Sequence, residues 1–147
     1  MTEAAQKYLV FTLPGRRYAV DLGQVAGVEE PPTLWPIPGA PPCYPGAMNF
    51  HGSIVAVMDM TAFLGYAGVC RPEKVIVLNP ALASLALLVE RVECVISADQ
   101  VRCDGPQPSQ VEEYCSSGRL VQPDETTAVL LDVAELIRKA TEAIAAT

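Results

Sequence analysis

Apolar positions along this chain recur mainly with the period of two that marks a pleated strand, and only near the C-terminus with the period of a helix. Tyr8 to Leu13 is rich in β-formers and is followed by the turn pair Pro14-Gly15. From Arg17 to Leu22 the pattern alternates, with Tyr18, Val20 and Leu22 on one face, so these two segments predict a hairpin. Ser53 to Met58 predicts a buried strand, and Asp59 to Leu64 a short helical turn ending at Gly65. Further strands are predicted at Lys74–Leu78, at Leu85–Ile96 with a bend near Glu90-Arg91, and at Ala128–Leu131. The stretch from Pro31 to Pro45 holds seven of the 13 prolines and the only tryptophan, Trp35; proline cannot donate to a ladder, so this segment predicts a crossing loop or edge. Asp104 to Ser117 is polar and predicts a loop. After the last strand, Asp132 predicts a helix cap, with Glu135 completing a capping-box pair. Val133, Leu136, Ile137, Ala140 and Ile144 follow at helical spacing.

The same pattern occurs twice. Tyr18 to Val28 lies over Leu85 to Val95, with apolar residues coinciding at 18/85, 20/87, 22/89, 25/92 and 28/95. Val55 to Leu64 lies over Ala128 to Ile137, where each strand runs into an aspartate and then a paired apolar motif. The chain therefore predicts two related lobes, each with several short strands. Such strands hide their edges by closing into a small barrel.

Composition narrows the function. With 147 residues, half of them hydrophobic, the chain has enough apolar side chain for one domain with a sizeable core. Its formal charge of −7 and the lack of a basic run beyond Arg16-Arg17 argue against nucleic acid and anionic membranes as partners. No segment has the apolar length of a membrane span, and the first residues lack the features of a secretory leader. Five cysteines without C-x-x-C spacing fit reduced thiols in a cytoplasmic protein better than a disulfide framework or zinc site.

Candidate chemistry is sparse. His51 is the sole histidine; with Cys43 and Asn49 it could be drawn as a cysteine-hydrolase set, but no Gly-rich elbow presents the thiol. Asp59 and Asp132 stand in matched places before helical turns and read as caps. No nucleotide loop or metal-ligand cluster is present, so no cofactor is expected.

Taken in order, these blocks resemble the CheW family. The residues that carry the resemblance are Phe11-Thr12-Leu13, Tyr18-Ala19-Val20-Asp21, Ile37-Pro38, the run Gly46-Ala47-Met48-Asn49-Phe50-His51-Gly52-Ser53-Ile54-Val55-Ala56-Val57-Met58-Asp59, the segment Leu87 to Val95, and Leu130-Leu131-Asp132. The resemblance implies an all-β fold of two SH3-like five-stranded β-barrel lobes with a C-terminal α-helix. One domain over residues 8–145 is expected, with lobes at about residues 8–68 and 72–132 and the helix at 132–145. It also implies a non-enzymatic adaptor without cofactor or metal. Such an adaptor would couple the regulatory domain of a CheA-type histidine kinase to the cytoplasmic hairpin tip of a chemoreceptor, recruited to membrane arrays without inserting in the bilayer. The alternative is a divergent scaffold of the same fold serving a motility or regulatory pathway. The positions expected to meet partners are Val25, Gly27, Gly46, Asn49, His51, Ile54, Val57, Val89 and Val92. Three residues depart from the family pattern: Gly27 stands where a glutamate is common, His51 where an arginine is, and Ala56 where a proline is. Joint loss of a Glu–Arg pair is compensated for folding but changes the receptor-facing surface.

Overall fold

The computed structural model of the chain describes residues 6–64, 73–104, 116–122 and 126–145. It contains β1 (Lys7–Leu13), β2 (Arg16–Asp21), β3 (Val25–Glu29), β4 (Gly46–Phe50), β5 (Ser53–Asp59), α1 (Met60–Leu64), β6 (Lys74–Leu78), β7 (Leu85–Val89), β8 (Arg91–Ser97), β9 (Arg102–Asp104), β10 (Ser116–Val121), β11 (Thr127–Leu131) and α2 (Val133–Ala145). The predicted hairpin is β1–β2, closed by Pro14 and by Gly15 at φ 75°, the pattern of a type II turn. The segment predicted as one bent strand is β7 and β8, broken at Glu90. Most of the predicted loop at 104–117 lies outside the described residues, but its two ends belong to β9 and β10.

The strands form two sheets, in the orders β8-β1-β2-β11-β10-β9 and β3-β6-β7-β5-β4. The first has six strands where five were expected. Both curl on themselves. In the first sheet the outermost strands, β8 and β9, would stand about 24 Å apart if the sheet were flat. Ser97 and Arg102 are joined only through the 3₁₀ turn at Ala98–Gln100, a segment that reaches at most about 18 Å. In the second sheet, Phe50 on β4 touches Gly27 on β3 although these strands lie at opposite ends of the order. A bridge between Trp35 and Ala47 ties the proline-rich crossing loop to β4.

A division near residue 70 into two sequential lobes does not match the strand pairing. β2 pairs in parallel with β11, and its repeat equivalent β7 pairs in parallel with β5. Each barrel thus takes one long piece from each repeat, and the halves are exchanged. The reason lies in where the apolar faces go. In β1, Tyr8 and Val10 point into the first barrel while Leu9, Phe11 and Leu13 point to a core shared by both. In β6 and β7, Val75, Val77, Ala86 and Leu88 fill the second barrel, and Ile76, Leu78, Leu85, Leu87 and Val89 join the shared core. Among the described residues the shared core holds 18 buried side chains against seven and six inside the barrels, so more apolar side chain is buried between the barrels than inside either of them.

Both matched aspartates cap helices. Asp59 Oδ1 accepts from the Thr61 N–H at 3.0 Å, and Asp132 Oδ1 from the Glu135 N–H at 3.0 Å. The capping box is only half formed, because the Glu135 carboxylate turns to Arg138. Val133, Leu136 and Ala140 of α2 seal the shared core, and the Tyr44 hydroxyl donates to the Ala140 carbonyl at 3.2 Å.

Candidate partner-docking surface

The centre of the family-like motif is the β4–β5 hairpin. Phe50 pairs with Ser53, leaving His51 at φ 49° and Gly52 at φ 86° as a two-residue loop. Positive φ at both positions is the type I′ geometry that matches strand twist. Asn49 Oδ1 accepts from the Gly52 N–H at 2.9 Å and fixes the turn. His51 is therefore a turn residue and not the first of a strand, and it is held in a backbone region uncommon for a side chain of its size. Its ring meets Phe50 edge-on, with centroids 4.2 Å apart. The Cζ and Cε1 atoms of Phe50 lie against Gly27. The positions 27 and 51 are thus linked through one aromatic ring, which closes the second barrel.

The nine residues expected to meet partners divide into three groups. Asn49, His51 and Ile54 are exposed, Ile54 to 63%. Gly27, Val25 and Val92 are half-buried, the two valines packing at the margin of the shared core. Gly46 is buried, and it is glycine because a Cβ there would lie 2.6 Å from the Trp35 carbonyl oxygen. Val57 and Val89 are fully buried, one inside the second barrel and one in the shared core. Neither can touch a partner while the fold is intact. Both were drawn into the expectation by their neighbours in the motif, but residues adjacent in a strand face opposite sides.

Exposed apolar residues outside that set include Val95, Val28 and Trp35. Val95, 48% exposed, stands opposite Leu9 on the face of β8 that looks towards the shared core. Val92 lies on the same face, so β8 carries an apolar edge past the rim of the core. The signal was present as the repeat partner of Val28, itself 40% exposed. Trp35, at 54%, points away from the second barrel, whose interior takes its neighbour Leu34.

Among the described residues, Cys43, Asn49 and His51 are not brought together as a catalytic set. The Cys43 carbonyl accepts from the Asp59 N–H at the end of β5, whereas His51 precedes the start of that strand. Seven residues of extended chain separate those ends by about 20 Å. Burial pushes the Cys43 thiol up, and Asp59 adds to the shift, so the thiolate is disfavoured. Among the described residues no three His, Cys, Asp or Glu side chains gather as metal ligands. A polar cleft of about 470 Å³ lies between the β1–β2 turn and Glu90. Several of its groups are paired: Thr12 donates to Glu90, and Arg17 reaches out of the cleft to Glu93 at 2.9 Å and to Gln122, with its Nη1 left unpartnered. No helix among the described residues is long and apolar enough to cross a membrane.

The chain matches the family model described as the CheW-like domain over residues 7–141. It is 29% identical over 140 residues to the chemotaxis protein CheW of Klebsiella aerogenes, covering 90% of this chain and 81% of that protein. Its fold is similar to the crystal structure of the scaffolding protein TtCheW from Thermoanaerobacter tengcongensis, with a TM-score of 0.72 at 22% identity, over 86% of this chain and 88% of the other.

Proposed function

Because the chain belongs to the family of CheW-like domains, we propose that it is a chemotaxis scaffold joining a CheA-type histidine kinase to the helical tip of a chemoreceptor. The observation that carries this reading is the apolar margin where the two barrels meet. Val25 and Val92 are half-buried there, and Val95 extends the same apolar face into solvent. A margin of that kind suits the apolar stripe of a helix, which it would read at helical spacing. The adaptor works by holding geometry, with no bond made or broken, so its function lies in complementary surfaces. Val95→Asp should leave the melting temperature nearly unchanged and weaken capture of a receptor-tip hairpin by about tenfold or more, whereas Val92→Asp, at a half-buried position on the core margin, should weaken capture and lower the melting temperature as well. Isothermal titration with a CheA-type regulatory domain from the same cell tests the kinase contact. Absence of heat with every such domain would reject the reading.

A second reading is favoured by one observation. Phe50 covers Gly27 where the family pattern has a glutamate, so the surface around position 51 is aromatic where it would be charged. A scaffold of this fold serving a motility or regulatory pathway would then read a different partner. Affinity capture from the native cell distinguishes the two by whether a CheA-type kinase is recovered.

A further inference from the structure

The outer face of β4 and β5 is exposed at Asn49 and Ile54 and is covered towards α2. Trp35 pairs with Ala47, Ala47 with Ala56, and Asn49 with Ile54, and residues opposite one another in an antiparallel pair share a face. Trp35, Ala47, Ile54 and Ala56 therefore stand on one surface, with Met48, Val55 and Val57 turned inward to the second barrel. Buried Ala47 and half-buried Ala56, which packs at the edge of the shared core, lie low as a floor between an exposed tryptophan and an exposed isoleucine. Beyond Ala56 the floor drops into a hollow of about 120 Å³, walled by Ile137 and Ala140 of α2 and by Leu85. Its nearby polar groups are already engaged. Tyr44 donates to the Ala140 carbonyl, Thr141 Oγ1 donates to the Ile137 carbonyl at 2.8 Å, and the Ala56 N–H donates to the Ser84 carbonyl at 3.1 Å. Water in the hollow would find few partners, so an aliphatic side chain fits it better.

Charge decides what such a side chain is attached to. From Tyr18 to Cys70 the sequence holds no lysine or arginine, while Asp21, Glu29, Glu30 and Asp59 are acidic. Arg138, the cation of α2 nearest in sequence to Ile137, is taken up by Glu135 and Glu142. The crossing loop that presents Trp35 begins at Glu29-Glu30, of which Glu30 is paired with Lys74 and Glu29 is left to bias the surface, in a chain of net charge −7. A basic partner meets attraction at this surface and an acidic one meets repulsion.

We propose that the Trp35–Ala56 floor and the hollow beneath α2 form a second docking site. Its occupant is an amphipathic helix that places one aliphatic anchor in the hollow and flanks it with lysine or arginine. This rests on the scaffold reading, to which it adds a face separate from the Val92–Val95 margin. Trp35, the only tryptophan, reports on the site directly. The probe is a synthetic helical peptide with leucines at the i, i+3, i+4 and i+7 positions and lysines elsewhere, titrated against the full chain. Saturable blue-shifted Trp35 emission is expected. Ala56→Leu, which fills the hollow, and Ile54→Lys, which adds a repelling charge at an exposed position, should each weaken it by about tenfold. Exchanging the peptide lysines for glutamates should abolish it. No shift, equal binding of the glutamate peptide, or unchanged affinity in both variants would overturn the proposal. Kinase-domain binding measured in parallel keeps the two ideas apart. If it persists while the peptide fails, only this site is lost; if both fail, the scaffold reading goes as well.

Discussion

Phe50 rests its ring on the backbone of Gly27: a Cβ built on that glycine would lie 3.2 Å from Phe50 Cζ and 3.3 Å from Cε1. The contact joins the two end strands of the second sheet, so one aromatic ring serves both barrel closure and the shape of the motif surface. Restoring a glutamate at position 27 requires that ring to move, and His51 packs edge-on against the same ring.

The first prediction follows from that geometry. Gly27→Glu alone should destabilise modestly, because a half-buried Phe50 can shift by a few tenths of an ångström. Gly27→Glu with His51→Arg should bind a typical receptor tip more tightly than either single change predicts. Residues that share a neighbour couple by about 0.5–3 kcal/mol. A double-mutant cycle measured on receptor-tip affinity checks this. Additive single effects would mean that the two positions act independently.

His51 supplies a second prediction. A type I′ turn asks for positive φ at both central residues, which asparagine and glycine accept more readily than histidine. His51→Asn should raise stability by about 0.5–1 kcal/mol, and the β-branched His51→Val should lower it by about 1–2 kcal/mol. Urea unfolding would show these as shifts of midpoint at constant slope. A stabilising valine would contradict the assigned turn.

Much of this was legible in the sequence. The hairpin at Pro14-Gly15, the two aspartate caps and the apolar stripe of α2 each rest on short-range rules and appear where expected. Pairing between distant strands was not legible. Leu85 to Val89 is buried on every residue, so it shows no alternation from which to tell the barrel side from the shared-core side. Val57 and Val89 looked like surface candidates through their neighbours in the motif, although adjacent strand residues face opposite sides. The repeat revealed equivalent strands but not that they exchange partners, because β2–β11 and β5–β7 are long-range parallel contacts with no local sequence signal.

A third prediction concerns α2. Leu136 is fully buried in the shared core, and Leu136→Ala should cost about 2–5 kcal/mol. Asp132→Ala, which frees the Glu135 N–H, should cost about 0.5–2 kcal/mol. Because the shared core unites the barrels, both variants should unfold in one transition. Calorimetric and van't Hoff enthalpies that disagree would show barrels melting separately.

The last prediction uses Tyr44. Burial pushes its phenol from 10.0 up to about 12, because the phenolate is poorly solvated where the hydroxyl donates to the Ala140 carbonyl. The folded state therefore holds the proton more tightly than the unfolded chain does. Its contribution to stability is whole below pH 10 and is lost as pH rises from about 10 to 12. Tyr44→Phe removes both the hydrogen bond and the titration. At neutral pH it should cost about 0.5–1.5 kcal/mol, the net worth of such a bond. Above pH 10 the variant should lose stability less steeply than the parent, so the two curves converge. Chemical denaturation at pH 7, 9, 10 and 11 measures this directly. Parallel curves across that range would show that burial does not raise the Tyr44 phenol, and no cost at neutral pH would show that its hydroxyl is not held by α2, so that the path from the crossing loop to the C-terminal helix would have to rest on packing alone.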